Sequence, residues 1–118
     1  MITIPQVCRV RIFPLETNIN LRQYAENIDK NLRENIPIVD ASEGEIGNVS
    51  REIQGKIHNG IRVKRLFSFY GTSMPHTTDF FLAQNRKYKV LVSIEAVDQE
   101  WKASDKEFQL ILDSLKFE

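Results

Sequence analysis

From Val7 to Phe13 polar and apolar positions alternate: Cys8, Val10 and Ile12 fall on one side of an extended backbone, and Val7, Arg9, Arg11 and Phe13 on the other. That period of two predicts a first strand with one apolar face, closed by Pro14. The period then changes. Asn18 or Asn20 can cap a helix by accepting from the free amides of its first turn, and the helix should run from about Asn20 to Asn35. Within it Leu21, Tyr24, Ala25, Ile28 and Leu32 recur at helical steps and predict one apolar stripe, while Arg22, Glu26, Asp29, Lys30 and Arg33 cover the side left to water.

Past Pro37 the pattern is extended again, first at Ile36, Ile38 and Val39, and then, after a polar stretch from Ser42 to Gly47, at Val49, Arg51 and Ile53. His58-Asn59-Gly60 has the composition of a tight hairpin turn, because Asn and Gly tolerate positive φ. A strand from Ile61 to Tyr70 should follow, alternating Val63, Arg65, Phe67 and Phe69 against Arg62, Lys64, Leu66 and Ser68. Thr77 to Ala83, a turn at Gln84-Asn85-Arg86 and a well-buried run from Tyr88 to Ala96 complete the strands. Phe108, Ile111, Leu112 and Leu115 then repeat at helical spacing behind an N-cap at Ser104 or Asp105. The expectation is an α+β domain over residues 1–118: an αβα sandwich whose central antiparallel sheet, of about six strands, is flanked by an N-terminal and a C-terminal helix.

Charge narrows the classes of partner. Sixteen basic and sixteen acidic side chains cancel, so there is no net field of the kind that draws a protein to nucleic acid. No apolar run approaches the roughly 20 residues of a membrane span, and the start lacks the unbroken apolar region of a leader. The expectation is a soluble monomer or weak dimer, cytoplasmic or an exported domain cloned after its leader. The single Cys8 cannot close an internal disulfide, and at 42% hydrophobic content the chain can build a core without metal or cofactor.

Few residues carry candidate chemistry. The five glycines are scattered and none stands in a phosphate-cradling frame. Cys8 with His58 or His76 is formally a nucleophile and base, but a cysteine inside a strand behaves as a small hydrophobe, and His58 is explained by its turn. His76 and Asp79 are the candidate metal pair, although two ligands without a third make a weak site; the plainer reading is a polar loop and an ion pair. Arg62, Lys64 and Arg65 form a basic cluster, and Trp101, expected in the loop before the last helix, is either a contact residue or the lid of the core. These four are the candidate partner-binding residues. No catalytic set emerges.

Several phrases in order resemble the PsbP-like superfamily, which includes extrinsic photosystem II subunits, Ran-binding Mog proteins and DcrB-related domains. Asn20-Leu21-Arg22-Gln23-Tyr24-Ala25 is similar to its helix opening, His58-Asn59-Gly60-Ile61 to the turn before a strand that ends in aromatics, and Asn85-Arg86-Lys87-Tyr88-Lys89-Val90-Leu91 to its late strand. Phe108 to Phe117, FQLILDSLKF, resembles its closing signature, whereas the usual opening with a tryptophan is reduced to Thr3-Ile4-Pro5. The resemblance implies an αβα arrangement without catalytic residues, used as a protein-binding or assembly factor, photosystem-associated or chaperone-like. The alternative from another class is a small-molecule or metal-binding protein; a polar-lined cavity would favour it, and a broad apolar surface the protein partner.

Overall fold

A computed structural model describes residues 6–35, 40–41, 44–69 and 71–115. They form β1 (Val7–Pro14), α1 (Leu21–Asn35), β2 (Asp40–Ala41), β3 (Glu45–Ile53), β4 (Lys56–Phe69), β5 (Thr72–Gln84), β6 (Tyr88–Val97) and α2 (Asp98–Ser114). The class is α+β: one sheet in which every pairing is antiparallel, and two helices. Across the sheet the order is β1-β6-β5-β4, and the fifth place is shared along one edge of β4 by β3, opposite Lys56 to Lys64, and β2, opposite Phe67 and Ser68. The sheet is therefore five strands across rather than the expected six, because β2 and β3 lie end to end. The strand expected at Ile36–Val39, together with Tyr70 and the close of the FQLILDSLKF phrase, lies outside the described residues.

Local chemistry explains most of the boundaries. The Asn20 side chain accepts from the Gln23 amide at 3.0 Å and caps α1 as expected. Asn85 accepts from the amides of Lys87 and Tyr88, both at 2.8 Å, and makes the β5–β6 turn. The β3–β4 hairpin turns instead at Gln54 and Gly55, whose φ values of 53° and 79° are those a two-residue hairpin needs. His58-Asn59-Gly60, expected to turn, runs straight through β4. Gly60 is required there by crowding: a Cβ would stand 2.4 Å from the Phe80 carbonyl oxygen and 2.6 Å from the Phe81 ring. Helix α2 begins at Asp98, earlier than Ser104 or Asp105, with Asp98 and Glu100 placing negative charge in its first turn. Ser104 is buried inside the helix, donating to the Glu100 carbonyl at 2.8 Å, and Trp101 is helical rather than in a loop.

Because paired residues share a face, the two sides of the sheet can be followed strand by strand. Phe81, Val90, Val92, Ile94 and Ala96 meet Phe108 and Leu112 of α2, with Ile53 closing one end. Ile61, Val63, Phe80 and Leu91 point the other way and meet Ala25 of α1. The helices thus cover opposite faces. Among the described residues no helix is long and apolar enough to cross a membrane.

Candidate functional site

Helix α1 packs chiefly over β4 and β5, so the β6–β1 side of its face is left open. A groove of about 420 Å³ occupies that space. Tyr24, Ile28 and Leu32 of α1 form one wall, Phe80 and Leu91 form the apolar floor, and Thr78 and Ser93 add hydroxyls to it. Strand alternation supplies the rim: Arg9 and Arg11 stand opposite Ser93 and Leu91 on this face, while Cys8, Val10 and Ile12 point to the other. The volume and the mixture of apolar walls with a few polar groups are those of a small-ligand site.

Each rim arginine is held in a particular way. Arg9 pairs with Glu95. Arg11 donates to the Tyr24 hydroxyl at 2.6 Å, with its guanidinium 5.1 Å from the Phe13 ring centre and 5.7 Å from that of Tyr24. Among the described residues it has no carboxylate partner, so one ordered cation stands at the groove with most of its five donors unused.

Behind the groove lies a buried polar network. Arg65 donates from Nε to Asp29 Oδ1 at 2.9 Å and from Nη1 to His76 Nδ1 at 2.9 Å and Thr78 Oγ1 at 3.1 Å. Asp29 also accepts from Arg33 at 3.2 Å and from the Gly44 amide at 2.9 Å. A guanidinium can only donate, so His76 Nδ1 accepts and its proton sits on Nε2, 3.5 Å from Glu95. Burial pushes His76 down to about 4, Arg65 adding to the effect while Glu95 and Asp98 oppose it. His76 is therefore neutral at pH 7. Nη2 of Arg65 is buried without a hydrogen-bond partner among the described residues.

The residues expected to act together are divided between the faces. Arg62, Lys64 and Trp101 meet on the α2 side around a small cavity of about 200 Å³. There Arg62 holds Asp79 in a two-pronged ion pair at 2.8 and 2.9 Å and lies 5.6 Å from the Trp101 ring centre. Trp101 itself leans on Phe108, 5.9 Å between centroids, which makes it largely a lid on that core. Arg65 belongs to the opposite face and, at 4% exposure, presents no contact surface. His76 and Asp79, three residues apart on β5, also point to opposite faces and are not brought together. Among the described residues no three His, Cys, Asp or Glu side chains gather as metal ligands. Cys8 sits half-buried against the α2-side core, where burial pushes its thiol up, away from the nucleophilic thiolate.

Chemically, then, the groove can bind and orient a ligand through apolar contact and a cation. Arg11 apart, the titratable groups around it are engaged with one another. Arg9, Arg11, Tyr24 and Glu95 were not singled out as functional from the sequence; the signal was present in the Arg9, Arg11 alternation on a strand whose other face is apolar.

No family model matches the chain, and no curated protein matches it in sequence. Among solved structures, a crystal structure of PA94 from Pseudomonas aeruginosa, a protein of unknown function, is similar with a TM-score of 0.44 at 9% identity, over 98% of this chain and 86% of that one. A likeness at that level lends nothing to the reading of the site.

Proposed function

We propose that the chain is a non-catalytic binding domain, an αβα sandwich of the PsbP-like kind, and that its site is the groove between α1 and strands β1 and β6. The observation that carries this reading is the groove itself: apolar walls from Ile28, Leu32, Phe80 and Leu91 beside Arg11, which has no carboxylate partner among the described residues. The absence of a catalytic role is supported by how the titratable groups nearby are used. Glu95 is engaged by Arg9, Asp29 by Arg65 and Arg33, and His76 is neutral with both nitrogens facing partners.

A second reading, the docking of a protein partner by an assembly or chaperone-like factor, draws on the other face. There Val10 and Ile12 on edge strand β1 are 42% and 65% exposed, and Ile111 of α2 is 43% exposed. Saturation-transfer NMR against a panel of small apolar and amphiphilic compounds separates the two. Compounds that bind wild type and lose their signal in Ile28→Trp, which fills the groove, support the first reading. Compounds that are insensitive to that variant, or any that are chemically consumed, contradict it.

A further inference from the structure

Among the described residues the charge around the groove is not neutral although the chain is. Among those residues four arginines, Arg9, Arg11, Arg33 and Arg65, face two carboxylates, Asp29 and Glu95, in the rim and the network behind it, and His76 contributes no charge. Both carboxylates are taken up by arginines, Glu95 by Arg9 and Asp29 by Arg33 and Arg65. The surplus is positive, and the member of it that lines the groove is Arg11. That arginine is exposed but held toward the groove by the Tyr24 hydroxyl and two rings, so an anion meeting it finds the guanidinium already placed there. From Arg11 the surface runs directly onto Tyr24, Ile28, Leu91 and Phe80.

From this juxtaposition we propose that the groove binds a single-chain amphiphile with a carboxylate head, the head on Arg11 and the acyl chain along Ile28, Leu32, Phe80 and Leu91. The proposal rests on the groove being the binding site and adds the class of ligand. A cationic amphiphile would meet the surplus of arginine. An alcohol of equal length would gain the apolar contacts and lose the charged hydrogen bonds. A soluble carboxylate without a chain would gain only an exposed ion pair, which is worth little. The recognition is therefore of both ends at once.

The test is isothermal titration calorimetry with decanoate, decanol, decyltrimethylammonium and acetate, on wild type, Arg11→Gln, Ile28→Trp and the control Arg22→Gln. Arg22 lies on the exposed side of α1, paired with Glu26. Decanoate should bind best, weakening about two- to fivefold in Arg11→Gln as the exposed charged hydrogen bonds are lost, and unchanged in Arg22→Gln. Shortening the chain by one methylene should weaken binding by up to about fourfold, the equivalent of ~0.8 kcal/mol per buried methylene. Binding of decanol as tight as that of decanoate, lost in Ile28→Trp, would overturn the carboxylate assignment and leave the groove as the site. Decanoate that binds equally to wild type and Ile28→Trp, or fails to bind a wild-type protein shown folded by its dispersed spectrum, would overturn both.

Discussion

The two faces of the sheet are built from one set of strands, yet they solve different problems. Under α2 the strands present Phe81, Val90, Val92, Ile94 and Ala96 as an apolar layer, which gives way toward Trp101 to two buried polar groups, Asp79 held by Arg62 and Thr77 bonded to Asp98. At the margin of the layer Arg51 bonds Gln109 at 2.9 Å, and Gln54 donates to the Leu112 carbonyl at 3.1 Å, satisfying an end-of-helix acceptor. Under α1 the same strands present Thr78, Ser93, His76 and Arg65 among the hydrophobic side chains, and part of the face is left uncovered. The difference is one of number and connection: the α1 face joins Asp29, Arg65, His76 and Thr78 into one network beside an open groove, and the α2 face holds the Arg62–Asp79 pair under Trp101.

Breaking the α1-side network should have the largest effect. Asp29→Ala leaves Arg65 buried without its carboxylate and should cost about 3–5 kcal/mol in urea unfolding, whereas the double variant Asp29→Leu, Arg65→Met should recover a substantial part. If the single variant cost under about 1 kcal/mol, the network would not be the buried unit described. On the α2 side Leu112→Ala, at a site with 0% exposure, should cost about 2–5 kcal/mol by loss of packing, with no recovery available from a polar partner.

The faces should also differ in their response to acid. Above the unfolded histidine pKa near 6.5, His76 is neutral folded and unfolded alike. As pH falls from about 6.5 to about 4 the unfolded chain takes a proton that the folded chain refuses, so stability falls by up to roughly 3 kcal/mol and loses no more to this residue below that window. Unfolding midpoints at pH 7, 5 and 4 should therefore drop more steeply in wild type than in His76→Gln, and parallel slopes would remove His76 from the account. The smallest effect belongs to α2's outer surface, where Leu110, 73% exposed, should tolerate Ser within about 0.5 kcal/mol.

Helical spacing made α1 and the apolar half of α2 legible in the sequence because each buries one stripe, alternation did so for β1, and a nearly continuous apolar run did so for β6, which is covered on both faces. Pattern failed where a local signal had two physical meanings. Asn59-Gly60 reads as a turn, but its glycine answers the Phe80 and Phe81 backbone and ring pressing from β5. Asp29 reads as a water-facing charge, although four residues after Ala25 and between Ile28 and Leu32 it occupies the helix's inner stripe, and there Arg65 neutralises it. Arg65 clusters in sequence with Arg62 and Lys64, yet strand alternation aligns it with Val63 and Phe67, the buried face. The groove was not legible at all, since it depends on where α1 lies across the sheet rather than on any residue pattern.

The central claim is that ligand binding belongs to the α1 face. A two-dimensional amide NMR titration with decanoate tests it most directly, because every described strand reports its own position. Shifts should saturate together at Arg9, Arg11, Tyr24, Ile28, Leu91 and Ser93, with Arg62, Lys64 and Trp101 still. Shifts centred instead on Arg62, Lys64 and Trp101, or on Val10, Ile12 and Ile111, would contradict it and move the site to the α2 face.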